Sequence, residues 1–371
     1  MSTVTKGPVA PIPLTVITGF LGAGKTTLLN RLLRDPALVD TIVIVNEFGE
    51  IGLDHLLMET VDDGMVLMQS GCLCCTIRDD LLNTLESLLR KRDNNRMILF
   101  KRVVIETTGL ADPAPILQTV MAHPYLGLRY ALEGVVTLVD AVNGMATLDS
   151  QPEAVRQVAV ADRLVLTKTD LLPAPTSSDT LRDRLAQLNP SAPITRMEQA
   201  TAAALLDCGL YNPATKMPDV SRWLQDEAVL ASLGRNAHRH ADGTVHQGDE
   251  TQGQTAGARG QDTANVNRHD AAIRAHSFST DKAIAAESFA LFQELLRSAH
   301  GPKLLRLKAI VKIAERPENP VIIHGVQHVF HPPMILERWP DADHRTRMVF
   351  ITRDMDPDFV EKLWNAFLGV Q

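Results

Sequence analysis

Two clusters in this chain have the residue types and spacing to do chemistry. The first is Gly19-Phe20-Leu21-Gly22-Ala23-Gly24-Lys25-Thr26-Thr27. Glycines at this spacing let backbone N–H groups turn inward around a phosphate, and the N-terminus of a following helix adds partial positive charge. Lys25 can reach the outer phosphates of a nucleotide, and the Thr26 hydroxyl can ligate Mg²⁺. Gly19, Gly22, Ala23, Gly24, Lys25, Thr26 and Thr27 form the candidate phosphate cradle, with Lys25 and Thr26 in the catalytic set. The second cluster, Cys72-Leu73-Cys74-Cys75, follows Gly71. Thiolates at this density are soft ligands for Zn²⁺, Cu(I) or a similar ion. Three sulfurs leave one coordination position open, as an exchangeable or reactive site requires. Cys208 stands alone and reads as core or surface, not as a ligand.

Acidic residues fall where a nucleotide would need them. Glu47, Glu50 and Asp54 follow one strand-like run, and Glu106 closes another, three residues before Gly109. An acid at a strand tip beside the phosphate loop can hold Mg²⁺ or its water, and the glycine can offer an N–H to the terminal phosphate. Glu47 and Glu106 therefore join the catalytic candidates. Thr167-Lys168-Thr169-Asp170 follows a further run. Guanine presents N1–H and N2–H₂ donors on one edge, and a fixed carboxylate accepts both. Asp170 is the candidate base reader, and Lys168 would lay its stem along the base plane.

The elements that must position these groups are legible as apolar runs. Residues 13–17, 41–45, 65–68, 103–105, 134–139 and 163–166 read as buried strands. A helix-forming run at 27–33 follows the glycine loop, and leucines at 81, 82, 85, 88 and 89 mark an amphipathic helix over 78–92. Strands alternating with helices predict an α/β fold of the P-loop NTPase kind, with a doubly wound, mainly parallel sheet.

The rest of the chain divides by composition. With 371 residues, 45% of them hydrophobic, there is enough material for two packed domains. A formal net charge of −7 argues against nucleic acid as a partner. No apolar run approaches the ~20 residues of a membrane span. The first twelve residues lack the pattern of a signal peptide. Clustered cysteines with this usage suit a reducing cytoplasm. Residues 234–268 contain no Leu, Ile, Phe or Met, so they read as a linker, and its His238, His240 and His246 are candidates for transient metal binding. Beyond it, strands are expected at 273–279, 305–313, 321–330 and 346–352, with helices at 285–298 and 356–367. His324 and His328 would share one face of the strand over 321–330 and read mainly as sheet histidines. The expected layout is an α/β domain over 1–233, a linker over 234–269 and a smaller α+β domain over 270–371.

Taken in order, these motifs resemble the CobW-like P-loop GTPases, relatives of the nickel-insertion GTPases. The resemblance rests on the glycine loop, Asn46-Glu47-Phe48-Gly49-Glu50, Gly71-Cys72-Leu73-Cys74-Cys75, Glu106-Thr107-Thr108-Gly109-Leu110-Ala111-Asp112-Pro113 and Thr167-Lys168-Thr169-Asp170. Thr167 stands where the guanine motif more often has Asn. The stretches around 324–339 and 347–353 look like that family's C-terminal domain. The resemblance implies a cytoplasmic GTPase metallochaperone that uses GTP and Mg²⁺. It would hold Zn²⁺ or Co²⁺ at Cys72, Cys74 and Cys75 and pass the ion to a metal-requiring client protein, with a homodimer left open. Two other readings stand beside it. One is a metal-sensing buffer or scaffold with incidental hydrolysis; the other is an ATP-dependent P-loop enzyme with a redox cysteine cluster.

Overall fold

The computed structural model describes residues 11–48, 65–70, 76–172, 178–206, 208, 273–300, 303–327, 329–330, 333–356 and 358–368. Cys72, Cys74, Cys75, Glu50, Asp54, His238, His240, His246 and His328 lie outside these residues, as does the expected linker.

The described strands of the first half form one parallel sheet. In chain order the elements are β1 (Ile12–Gly19), α1 (Lys25–Leu32), β2 (Thr41–Phe48), β3 (Met65–Ser70), α2 (Thr76–Asp93) and β4 (Arg102–Glu106). There follow α3 (Ala114–Ala122), α4 (Pro124–Arg129), β5 (Tyr130–Asp140), α5 (Gly144–Ser150) and α6 (Pro152–Val160). The series ends with β6 (Arg163–Thr167), α7 (Asp179–Leu188), β7 (Ile194–Arg196) and α8 (Ala202–Leu205). The strand order is β3-β2-β4-β1-β5-β6-β7, and every pair in it is parallel.

The centre of this sheet is apolar on both faces, which is why β1 reads as an almost unbroken hydrophobic run. Leu14 and Val16 join Ile42, Ile44, Val103 and Ile105 beneath α2 and α3. On the opposite face Ile17 joins Val43, Val45, Val104 and Val136 against Leu28, Leu29 and Leu32 of α1. The two-residue alternation of side chains along each strand sends successive residues to opposite helical layers.

The last hundred residues build a second, antiparallel sheet. Its elements are β8 (Ile273–Thr280), α9 (Ala286–His300), β9 (Leu304–Val311), β10 (Val321–Val326), β11 (Val329–Phe330), β12 (Met334–Ile335), β13 (Thr346–Arg353) and α10 (Phe359–Leu368). The order is β11-β10-β9-β13-β8, with β12 pairing β10. Leu307, Ala309 and Val311 of β9 pack with Phe350 against α9 and α10, where Trp364 meets Phe292 edge-on at 5.2 Å.

One expectation is corrected here. Residues 321–330 are not one strand. β10 stops at Val326, Gln327 takes a left-handed φ of 53°, and β11 folds back so that Val329 pairs with Val326 and Phe330 with Gly325. The turn carries no glycine or asparagine to announce it, so the apolar pattern on both sides reads as continuous. His324 is buried in β10 opposite Lys308 of β9.

The two sheets share packing. Ile273, Leu305 and Ile351 of the second sit in one apolar cluster with Val158 and Ala159 of α6 and Leu185 of α7. A charged knot lies beside it. Asp162, between α6 and β6, accepts from Arg306 and, at 3.2 Å, from Lys308, and its other oxygen takes the Val135 N–H at 2.9 Å. Arg306 also donates to the Val160 carbonyl. Asp162 and Arg306 are each 1% exposed.

Candidate functional site

The glycine loop leaves the C-terminal end of β1, in the middle of the parallel sheet, where open α/β sheets bind ligands. Gly19 ends that strand opposite Leu138 of β5. Gly24 caps α1 in the left-handed region, at φ 89°, and this backbone turns the chain into the helix without a β-carbon clash. Lys25 is the first residue of α1. Its ammonium donates to the carbonyls of Gly19 at 3.0 Å and Phe20 at 3.3 Å, so the charge lies over its own loop. Thr26 follows half-buried, Gly22 and Thr27 are exposed, and Ala23 is buried.

The end of β4, the strand beside β1, closes on this loop. Glu106 ends β4, paired with Ile17 of β1, and its side chain is buried. Thr107 continues the contact: its N–H donates to the Ile17 carbonyl at 3.0 Å and its hydroxyl to the Thr18 hydroxyl at 2.7 Å. Gly109 lies hard against the glycine loop, because a β-carbon there would come within 2.6 Å of the Leu21 nitrogen. Glu47 lies in β2, opposite Gln69 of β3.

The strand β6 brings in the third segment. Thr167 is buried, and its hydroxyl donates to the Ala23 carbonyl at 2.9 Å. A threonine at this position thus ties the glycine loop to the 167–170 segment directly. Lys168, at φ 57°, pairs with Asp140 at 2.8 Å. Asp140 also accepts from the Val142 N–H at 2.8 Å and the Asn143 amide at 3.1 Å. Burial pushes the Asp140 carboxyl up, but Lys168, Asn143 and the backbone donors outweigh it, and the group ends below its ordinary value. Asp170 is exposed in the 3-10 turn Thr169–Leu171. It borders a cavity of about 630 Å³ shared with Arg196, Glu198 and Gln199. The rim is braced by the Thr169 hydroxyl on Glu198 at 3.0 Å and by Arg31 of α1 on the Glu198 carbonyl at 2.6 Å.

Three segments singled out from the sequence therefore converge at the C-terminal ends of β4, β1 and β6. Two residues that sequence reasoning left unassigned belong to the same neighbourhood. Asp140 carries the signal of an acid at a strand tip; Gln157 of α6 carries none, since a lone amide on a helix is unremarkable in sequence. Both line a second cavity, of about 290 Å³, with Phe20, Ala23, Asn143 and Lys168. Among the described residues no cluster of three His, Cys, Asp or Glu could hold a metal ion. Cys208 is buried, its thiol meets the Leu205 carbonyl at 3.1 Å, and burial with the nearby Asp162 charge pushes it up to about 12. That is a packing cysteine, as its isolation in sequence suggested. No helix among the described residues is long and apolar enough to cross a membrane.

Comparison with known proteins covers nearly the whole chain. Residues 13–196 match the family model described as CobW/HypB/UreG, nucleotide-binding domain, and residues 273–368 match the cobalamin synthesis protein cobW C-terminal domain. The zinc chaperone YjiA of Escherichia coli is 33% identical over 361 residues, covering 97% of this chain and 99% of that protein. The zinc-regulated GTPase metalloprotein activator 1 of Schizosaccharomyces pombe is 38% identical over 169 residues, 44% of this chain and 40% of that one. The crystal structure of Zn(II)-bound YjiA GTPase from E. coli superposes with a TM-score of 0.63 at 26% identity, covering 96% of this chain and 99% of that one.

Proposed function

This chain belongs to the CobW/HypB/UreG family, and from that premise we propose that it is a GTPase metallochaperone of the cytoplasm whose cargo is Zn²⁺ or Co²⁺. The observation that supports this most is the end-to-end match to a zinc chaperone, together with the gathering of glycine loop, Glu106–Gly109 segment and 167–170 segment on one sheet edge. In this reading the glycine loop and Lys25 bind the phosphates and Asp170 accepts from guanine. Thr26 and Glu106 are oxygen donors, the chemistry that a hard cation such as Mg²⁺ prefers. That ion neutralises charge on the phosphate oxygens when bound.

The cargo ion is assigned to Cys72, Cys74 and Cys75, with one position open for exchange. The same stretch of chain leads into α2 directly after Cys75. Nucleotide and metal then share one switch: segments 46–54 and 106–112 are fixed by the terminal phosphate and released on hydrolysis. A metal held more tightly in one nucleotide state is handed to the client when the state changes.

Metal titration of the full chain tests this reading. One Co²⁺ per chain with thiolate absorption bands is expected, releasing protons on binding because thiolates and not thiols are the ligands. Replacing Cys72, Cys74 and Cys75 together by serine should remove the bands and leave GTP binding intact. Coupling is reciprocal, so metal affinity must differ between the GDP form and a non-hydrolysable GTP analogue. Equal affinities in the two states would reduce the protein to a metal buffer. Full-affinity binding by the triple variant would move the site elsewhere.

A further inference from the structure

Gln157 is almost completely buried, 1% exposed, in the middle of α6. Its Nε2 donates to two carbonyls of the segment after β4, Gly109 at 3.2 Å and Ala111 at 2.9 Å. Both partners are acceptors, so the nitrogen end of the amide must face them. Its Oε1 is buried and meets no donor among the described residues. A buried acceptor left in that state is a cost that natural sequences seldom retain without use.

The helix beneath this amide is unusually well fixed. The Gln157 carbonyl accepts from the Thr137 hydroxyl at 2.8 Å. The Asn189 side chain donates to the carbonyls of Val158 at 2.8 Å, Ala159 at 3.2 Å and Ala161 at 2.8 Å, and Arg306 takes that of Val160. The segment above it is crowded against the glycine loop at Leu21. A rigid platform therefore carries a side chain that grips two peptide groups of a segment expected to move. The gripped carbonyls belong to the 109–110 and 111–112 peptide groups. Because N–H and C=O point opposite ways in a trans peptide, turning either group over takes its carbonyl away from α6 and brings the N–H of Leu110 or Asp112 toward it. The last torsion of a glutamine is soft and roughly two-fold, so the amide can turn over and present Oε1 instead.

We propose that Gln157 is a positioning residue for GTP hydrolysis. Its amide holds the Gly109–Ala111 carbonyls in the arrangement described here and, turned over, accepts from the N–H groups of the same segment when Gly109 engages the terminal phosphate. The unused acceptor and the two used donors are the two halves of one latch. The proposal rests on the reading of residues 106–112 as the phosphate-sensing segment.

The test is Gln157→Met in the full chain, which keeps length and apolar stem but removes both donors and the acceptor. The segment should lose its second resting place, so kcat should fall about 10–100-fold, the range expected when a catalytic segment is misplaced. GDP affinity should stay within about threefold, since the glycine loop is untouched. Hydrogen exchange at 108–112 gives the second readout. In the parent protein these amides should be more protected with a non-hydrolysable GTP analogue than with GDP, and in Gln157→Met the difference should vanish. Parent amides that exchange equally in both states would overturn the phosphate-sensing reading itself. A parent difference that survives in the variant, or a kcat within twofold of the parent, would overturn the role of Gln157 alone. Should the variant fail to fold, Gln157→Glu is measured the same way; it keeps an acceptor and loses the paired donors, so protection with the analogue should persist while protection with GDP is lost, and unchanged protection in both states would overturn the latch.

Discussion

Replacing Asp162 by asparagine should be among the most damaging single changes in the chain. The carboxylate is shared by Arg306 and Lys308, all three fully buried between the two sheets. Two cations and one anion leave the knot with an excess positive charge, and burial alone pushes the Asp162 carboxyl up. The fields of Arg306, Lys308 and His324 outweigh that, holding it far below the usual carboxylate range. Removing the anion strands two buried cations, which costs about 3–5 kcal/mol. For a unit of about 100 residues each kcal/mol moves Tm by roughly 4–8 °C, so the second sheet should melt roughly 12–40 °C lower. Tryptophan fluorescence follows it, because Trp339 and Trp364 both lie in that sheet's packing. Lys308→Met should behave quite differently. Desolvation first, and the Arg306 charge second, lower the Lys308 ammonium to about 8 despite Asp162. Methionine removes the surplus charge and leaves Asp162 paired with Arg306, so the change should cost less than about 1 kcal/mol. The pH signs differ as well. Asp162, depressed in the fold, contributes stability above its unfolded value of about 3.9 that is lost as pH falls below it. Lys308 binds more protons unfolded than folded between about 8 and its ordinary value, so the parent gains stability as pH rises through that window and Lys308→Met should not. An Asp162→Asn variant melting within about 2 °C of the parent (against the roughly 12–40 °C expected), or a Lys308→Met variant as costly as Asp162→Asn, would refute the reasoning.

Two further outcomes concern the nucleotide. Lys25→Ala should abolish tight GTP binding while leaving Tm nearly unchanged, because the bonds described above run from the ammonium to carbonyls of its own surface loop and not to the core; calorimetric titration showing parental affinity would remove Lys25 from the phosphate site. Asp170→Asn should weaken GTP by about 10-fold or more and ATP far less, since the paired acceptor for guanine is lost; equal losses in competition binding would show that the base is read elsewhere.

What could be read from the sequence, and what could not, follows from the range of the interactions. The glycine loop and its helix are chemistry and local backbone in one short stretch, so residue types alone announce both. Each parallel strand is covered on two faces, and its apolar run is visible without knowing its neighbours. The fold of the first half was legible for that reason, and the break at Gln327 was not, because a left-handed turn at a non-glycine residue leaves the apolar pattern intact. Thr167 looked like a departure from a guanine motif. Its hydroxyl instead answers a carbonyl of the glycine loop, 144 positions away in the chain. Asp162 finds Arg306 at the same separation, and Gln157 finds Gly109 across 48. These juxtapositions leave no periodic trace, since each joins two residues far apart in the chain. Two of them share one element: Gln157 grips the segment after β4 from the middle of α6, while Val160 at its end and Asp162 just beyond it are gripped by β9 of the second sheet. The same helix is thus fastened at one point to a segment expected to respond to nucleotide and at another to the C-terminal sheet. A change that loosens the second attachment, such as Asp162→Asn, should therefore also alter hydrogen exchange at 108–112 if the helix carries strain between them.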